Sequence, residues 1–142
     1  MSNIIAGIGR GQLLHLDEHI AAKKRIYRTY CDAFSDLPVS INPYLPDSEP
    51  NFWLTCMTID NDCPISPKKV MEAMAEVNAE GRPIWKPMHM QPVFAHCDFL
   101  SLSDTPVTKD IFDRGLCLPS DIKMTEDDLS LVIGSVRRLF SV

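Results

Sequence analysis

The 142 residues carry 14 Lys and Arg against 19 Asp and Glu, a net charge of −5, with 45% hydrophobic and 8% aromatic side chains. These proportions exclude a disordered tail, and no stretch is basic enough to neutralise a run of phosphates, which argues against nucleic acid as a partner. No window approaches the ~20 consecutive apolar residues that a membrane-spanning helix requires, and the first residues lack a secretory pattern, so the chain is read as a cytoplasmic unit with one core.

Five cysteines, at 31, 56, 63, 97 and 117, are an odd number at irregular gaps with no Cys-x-x-Cys pair. Zinc and disulfide frameworks fit that spacing poorly, and a reducing compartment where cysteine serves as a small hydrophobe explains the set.

In chain order, Ile4, Ile5, Ile8, Leu13, Leu16, Ile20, Tyr27, Tyr30 and Phe34 recur mostly in steps of three, four or seven, which predicts one long amphipathic helix over 3–34 with Asn3 as N-cap. Gly7, Gly9 and Gly11 cost that helix up to ~1 kcal/mol each and read as close-approach sites for packing against another surface. Lys23, Lys24, Arg25 and Arg28 read as a solvated helix face. Prolines 38, 43, 46 and 50 make the next segment an extended surface loop. Residues 52–59 follow as a strand rich in aromatic and β-branched side chains. Ser66 caps a helix with Pro67 in its first turn, running to Gly81 as the stop. A short strand is expected near 82–84, and another over 112–118 that pairs through 114–118. Thr125 then caps the last helix, which carries Leu129, Val132, Ile133, Val136 and Phe140 at helical spacing.

The segment from Arg82 to Phe94 holds Pro83, Pro87 and Pro92 among Trp, Met, Phe and charged residues. Prolines restrain its backbone, so Arg82, Lys86 and His89 would be held at low entropic cost, a combination that suits an anion: Arg a bidentate fork, Lys a point charge, His a proton donor or acceptor. The alternative is a structural loop in which Trp85 plugs the core and the charges are solvated. His15, His19 and His96 have no comparable company. No nucleophile elbow, phosphate-binding loop or zinc-protease motif occurs, so no catalytic or metal residue is assigned.

Met1-Ser2-Asn3-Ile4 with Ile8-Gly9 and Gln12-Leu13, Asn51-Phe52-Trp53-Leu54-Thr55, the run from Gly81 to Phe94, and Gly115-Leu116-Cys117-Leu118-Pro119-Ser120 with Met124-Thr125-Glu126-Asp127-Asp128 together resemble the DegT/DnrJ/EryC1/StrS family of sugar aminotransferases. The Trp-Lys-Pro-Met-His stretch resembles the branch acting on nucleotide-linked 4-keto-6-deoxy sugars, as in bacillosamine synthesis. The resemblance implies an α/β fold: the small C-terminal domain of a fold-type I pyridoxal phosphate enzyme, with a long connecting helix over 1–34 and a small sheet covered by helices over 35–142. It implies glutamate as amino donor, a nucleotide sugar as acceptor, and association as a homodimer or with a separate large-domain chain. In the family the Schiff-base lysine, the acidic partner of the pyridine nitrogen and the stacking aromatic lie upstream of the position matching Met1. The chain is therefore expected to be a C-terminal portion, inactive alone and without bound pyridoxal phosphate, whose Arg82, Trp85, Lys86 and His89 line the substrate mouth. The competing expectation is a non-catalytic binding or assembly module that keeps the small-domain fold.

Overall fold

The computed structural model describes residues 2–102, 104 and 106–141. Helix α1 (Asn3–Leu13) is capped by Ser2, whose hydroxyl accepts from the Ile5 amide at 3.3 Å. The expected single helix is two: the chain breaks at Leu14 and His15, and α2 (Leu16–Ala33) starts afresh with Asp17 and Glu18 in its first turn. Three glycines weaken α1 and acidic side chains favour a new N-terminus at α2, so a continuous periodicity is cut where both effects meet. The cap is Ser2 and not Asn3. Only α2 reaches the core, through Ile26, Tyr27 and Tyr30; α1 buries none of its residues.

Inside the proline-rich segment expected as loop lies a short strand, β1 (Val39–Ile41), bracketed by Pro38 and Pro43. Those prolines fit an edge strand, where amides outside the pairing stretch need no partner. Strand β2 (Thr55–Ile59) begins later than expected, because Phe52 takes φ 50° and turns the chain before pairing starts. Its Thr55, Met57 and Ile59 are buried while Cys56 and Thr58 are half-buried, the alternation of a sheet covered on one side.

Helix α3 (Pro67–Glu76) starts at Ser66 as predicted, the hydroxyl accepting from the Lys69 amide. It ends at Glu76 and not at Gly81: Asn78, just past the Val77 cap, adopts φ 58°, a left-handed position that asparagine tolerates. Strand β3 (Arg82–Pro83) follows. The expected strand over 112–118 is in its first part a helix, α4 (Val107–Arg114), with only β4 (Gly115–Leu118) extended. Two ion pairs at i, i+4 spacing, Asp110 with Arg114 and Lys109 with Asp113, favour the helix. Helix α5 (Glu126–Phe140) opens on a capping box, with Thr125 and Asp128 exchanging bonds.

The sheet is antiparallel throughout, in order β1-β2-β4-β3, with Val39 opposite Ile59, Met57 opposite Leu116 and Arg82 opposite Cys117. Helices α3 and α5 cover one face as predicted, and α2 joins them. Ile26, Tyr30, Met57, Met74, Leu116 and Val136 meet in the core. The Tyr30 hydroxyl donates to the Pro119 carbonyl at 2.8 Å, satisfying a polar group that burial would otherwise penalise. None of the helices among the described residues is long and apolar enough to cross a membrane.

Candidate functional site

The segment singled out by its prolines leaves the sheet at β3 and turns twice in 3-10 conformation, at Met88–Met90 and Pro92–Phe94. Pro87 precedes the first turn and Pro92 opens the second, positions that need no amide donor. Gln91 holds the first turn from outside, its side-chain amide donating to the Lys86 carbonyl at 3.2 Å. Two proline-set corners and one cross-brace restrain the backbone of this loop without core burial.

What it displays is open to solvent. Trp85 does not plug the core: it is 63% exposed, and its ring lies 6.1 Å from that of Trp53, itself 64% exposed. Arg82 is exposed and holds Glu80 through two bonds of 3.0 and 3.4 Å, which raise its already high pKa and keep it charged. The His89 ring stacks on Phe99 with centroids 3.8 Å apart and planes within 18°. The Lys86 ammonium is exposed and has no partner among the described residues. The structure thus strings Arg82, Trp85 and Lys86, all exposed, and the half-buried His89 along one segment without drawing them into a cleft. A surface cavity of about 150 Å³ lies elsewhere, between Lys24 and Arg28 of α2 and Tyr44, Glu49 and Phe52 of the loop before β2.

Two residues missed by the sequence reading belong to this surface. Trp53 is turned outward by a local device: the Asn51 side chain accepts from the Trp53 amide at 3.0 Å, and Phe52 at positive φ points inward against Tyr27, with ring centroids 4.1 Å apart. The signal was the Asn-Phe-Trp triplet, which a strand reading absorbed. Phe99 lies in a polar stretch without periodicity and gave no signal. Lys23 was read as part of a solvated face, yet its ammonium donates to the Trp53 carbonyl at 3.0 Å and to the Ser120 carbonyl. Partial burial pushes its pKa down and nearby Asp121 pulls it back up. Lys23 therefore pins the base of the Trp53 turn to α2 and to the end of β4. Arg25 is likewise engaged, with Glu126.

The described residues do not form a seat for pyridoxal phosphate. A Schiff-base lysine needs a free amine enclosed beside a phosphate cradle and an acid for the ring nitrogen. Lys23 is committed to two carbonyls, Lys68 and Lys109 are paired with carboxylates on their own helices, Lys69, Lys86 and Lys123 are exposed, and Lys24 is half-buried beside Arg28 and Glu49 at the surface cavity, so none of the seven lysines is an enclosed free amine. No group of three or more metal-ligating side chains converges among the described residues either.

Comparison with known proteins places this geometry. Residues 1–137 match the model of the DegT/DnrJ/EryC1/StrS aminotransferase family. EpsN of Bacillus subtilis (strain 168), whose name describes a pyridoxal phosphate-dependent aminotransferase, is 42% identical over 142 residues, a span covering 99% of this chain and 36% of EpsN. The GDP-perosamine synthase of Caulobacter vibrioides (strain ATCC 19089 / CIP 103742 / CB 15) is 29% identical over 138 residues, or 96% of this chain and 36% of that enzyme. Among solved structures, the aminotransferase TlmJ from Streptoalloteichus hindustanus superposes with a TM-score of 0.79 at 23% identity, over 94% of this chain and 35% of that one. The chain spans about a third of the length of the relatives it matches, and pyridoxal phosphate is the cofactor of the full-length family. This chain belongs to the DegT/DnrJ/EryC1/StrS aminotransferase family, as a portion of such an enzyme.

Proposed function

We propose that this chain is the C-terminal, substrate-facing portion of an aminotransferase that moves an amino group from glutamate to a nucleotide-linked 4-keto-6-deoxy sugar, and that it is inactive until the remaining two thirds of the enzyme is supplied. The observation that carries the reading is the family match over residues 1–137 by a chain that spans only 36% of EpsN. The cofactor seat belongs to the part of the enzyme outside this span.

In this reading the open segment is one wall of a site whose other wall lies on the missing part. Arg82 and Lys86 bring positive charge to an anionic diphosphate or carboxylate, and His89, oriented by its stack on Phe99, adds a hydrogen bond. The exposed rings of Trp85 and Trp53 offer apolar faces to a planar base or to a sugar ring. Ile4, Ile5 and Ile8, between 58% and 77% exposed on α1, form the apolar face on which the missing part or a second subunit docks.

The test is to produce this chain alone and together with the N-terminal two thirds of EpsN, then follow amino transfer from glutamate to nucleotide-linked 4-keto-6-deoxy sugars. Activity is expected only in the combined preparation. His89→Ala and Lys86→Ala, tested separately there, are each expected to lose about 2–4 kcal/mol of transition-state stabilisation, the cost of removing a charged or hydrogen-bonding substrate contact. Transamination by the chain alone would overturn the claim of inactivity, and unchanged kinetics in both variants would remove the segment from the substrate site.

A further inference from the structure

Two of the five cysteines face each other across the sheet. Cys56 on β2 and Cys117 on β4 are register partners, and their sulfurs lie 3.7 Å apart. The same row runs the width of the sheet. Asn42, just past β1, accepts from the Cys56 amide through its side chain at 2.9 Å, and Arg82 of β3 stands opposite Cys117. Cys117 is buried and Cys56 half-buried, so Cys56 is the more accessible member of the pair. Among the described residues no other two thiols approach each other in this way.

We propose that Cys56 and Cys117 form a dithiol modification site that low-molecular-weight disulfides close into a cross-strand disulfide, entering through Cys56. Directly opposed residues of an antiparallel pair have Cα atoms about 4.5–5.5 Å apart, inside the roughly 4.4–6.8 Å window of protein disulfides. Closure therefore asks for rotation of two side chains and leaves the strands where they are. Cys56 gives up its proton to solvent and its thiolate attacks one sulfur of the small disulfide, breaking that S–S bond and releasing one thiol. Cys117 then loses its proton and attacks the Cys56 sulfur, forming the 56–117 bond and expelling the second thiol. The protein dithiol is oxidised by two electrons and the small disulfide is reduced to two thiols.

Burial, with Cys117 beside it, pushes the Cys56 thiol up to about 12, so Cys56 rests protonated near neutrality and exchange is slow until the pH rises. The closed bond would clamp β2 to β4 in the row that carries Arg82, at the root of the segment bearing Trp85, Lys86 and His89. This site stands on the sulfur geometry alone and is independent of the aminotransferase reading.

The experiment incubates the reduced full chain with oxidised glutathione at about pH 8.5, then blocks remaining thiols with N-ethylmaleimide and maps peptides. The expected product contains a peptide joining Cys56 to Cys117 that is two hydrogens lighter than the two reduced peptides, and neither of these cysteines takes up label, whether Cys31, Cys63 and Cys97 end labelled or capped by glutathione. The Cys117→Ser variant should trap glutathione on Cys56, and Cys56→Ser should yield no internal bond. The wild-type rate should rise close to tenfold per pH unit from about pH 7 to 9, as thiolate becomes available. A wild-type product carrying stable glutathione on Cys56, or labelled at both Cys56 and Cys117 after oxidation, overturns the proposal. The labelling pattern reads the wild-type chain and does not depend on either variant folding.

Discussion

Gly115 stands at the junction where α4 hands over to β4, and its backbone, at φ −105° and ψ 153°, is ordinary extended chain open to any residue. A side chain there is opposed by contacts alone. A Cβ at Gly115 would overlap the carbonyl oxygen of Ile111 and come within 2.6 Å of the Ile84 side chain. Ile84 can rotate away, but the Ile111 carbonyl belongs to the last turn of α4 and retreats only if that turn unwinds. Overpacking of this kind costs about 1–3 kcal/mol, while removing a glycine from the unfolded chain returns about 0.4–1 kcal/mol, so Gly115→Ala should destabilise by about 1–2 kcal/mol net. At this chain length that is a fall of roughly 3–8 °C in the thermal midpoint, read by circular dichroism. Gly9 is the control: nothing lies within 4 Å of an added Cβ, so Gly9→Ala should raise helix content, by up to about 1 kcal/mol in local propensity. An unchanged or raised midpoint for Gly115→Ala would show that α4 and β4 do not meet as closely as described.

Two further predictions concern stability. The Thr55 hydroxyl is fully buried and has no hydrogen-bond partner among the described residues, so Thr55→Val should stabilise by about 1 kcal/mol in urea unfolding; a loss of stability would mean the hydroxyl has a partner. Asp36 accepts from both Arg137 nitrogens at 2.7 and 2.8 Å, which holds its carboxyl at about 2, below the ordinary value near 3.9. A depressed carboxylate pKa contributes stability above the unfolded value and loses it as pH falls from about 4 to about 2. Asp36→Asn should therefore flatten the acid limb of the stability curve in that window, and an acid limb identical to wild type would refute the assignment.

The parts of the fold legible beforehand were those where one local rule acts unopposed. Ser66 and Thr125 cap helices by side-chain chemistry that needs nothing distant, and both stand where expected. The errors fall where two rules compete. Apolar periodicity runs straight through Leu14 and His15, yet glycine-weakened propensity on one side and an acidic first turn on the other divide the helix. Residues 112–114 have strand-like composition at Phe112, but Arg114 pairs with Asp110 one turn back and donates to the Ile59 carbonyl, which ties the helix to the end of β2. That second bond joins residues 55 positions apart and leaves no trace in local pattern.

The candidate surface divides along the same line. Arg82, Lys86 and His89 were found because prolines and charges crowd one short window, and the structure keeps them on one segment. Trp53, Phe99 and Lys23 were missed because each gains its meaning from a distant partner: Trp85 beside Trp53, His89 on Phe99, and the Trp53 and Ser120 carbonyls on Lys23. A basic run of four residues on one helix reads as a uniform face, but burial sorts it. Lys23 and Arg25 are tied to other elements, whereas Lys24 and Arg28 border a cavity. Charge counts along a sequence cannot make that division, because it depends on which carbonyls and carboxylates the fold brings alongside. The cysteines follow the same logic: positions 56 and 117 are 61 residues apart, and only the β2-β4 register makes them neighbours.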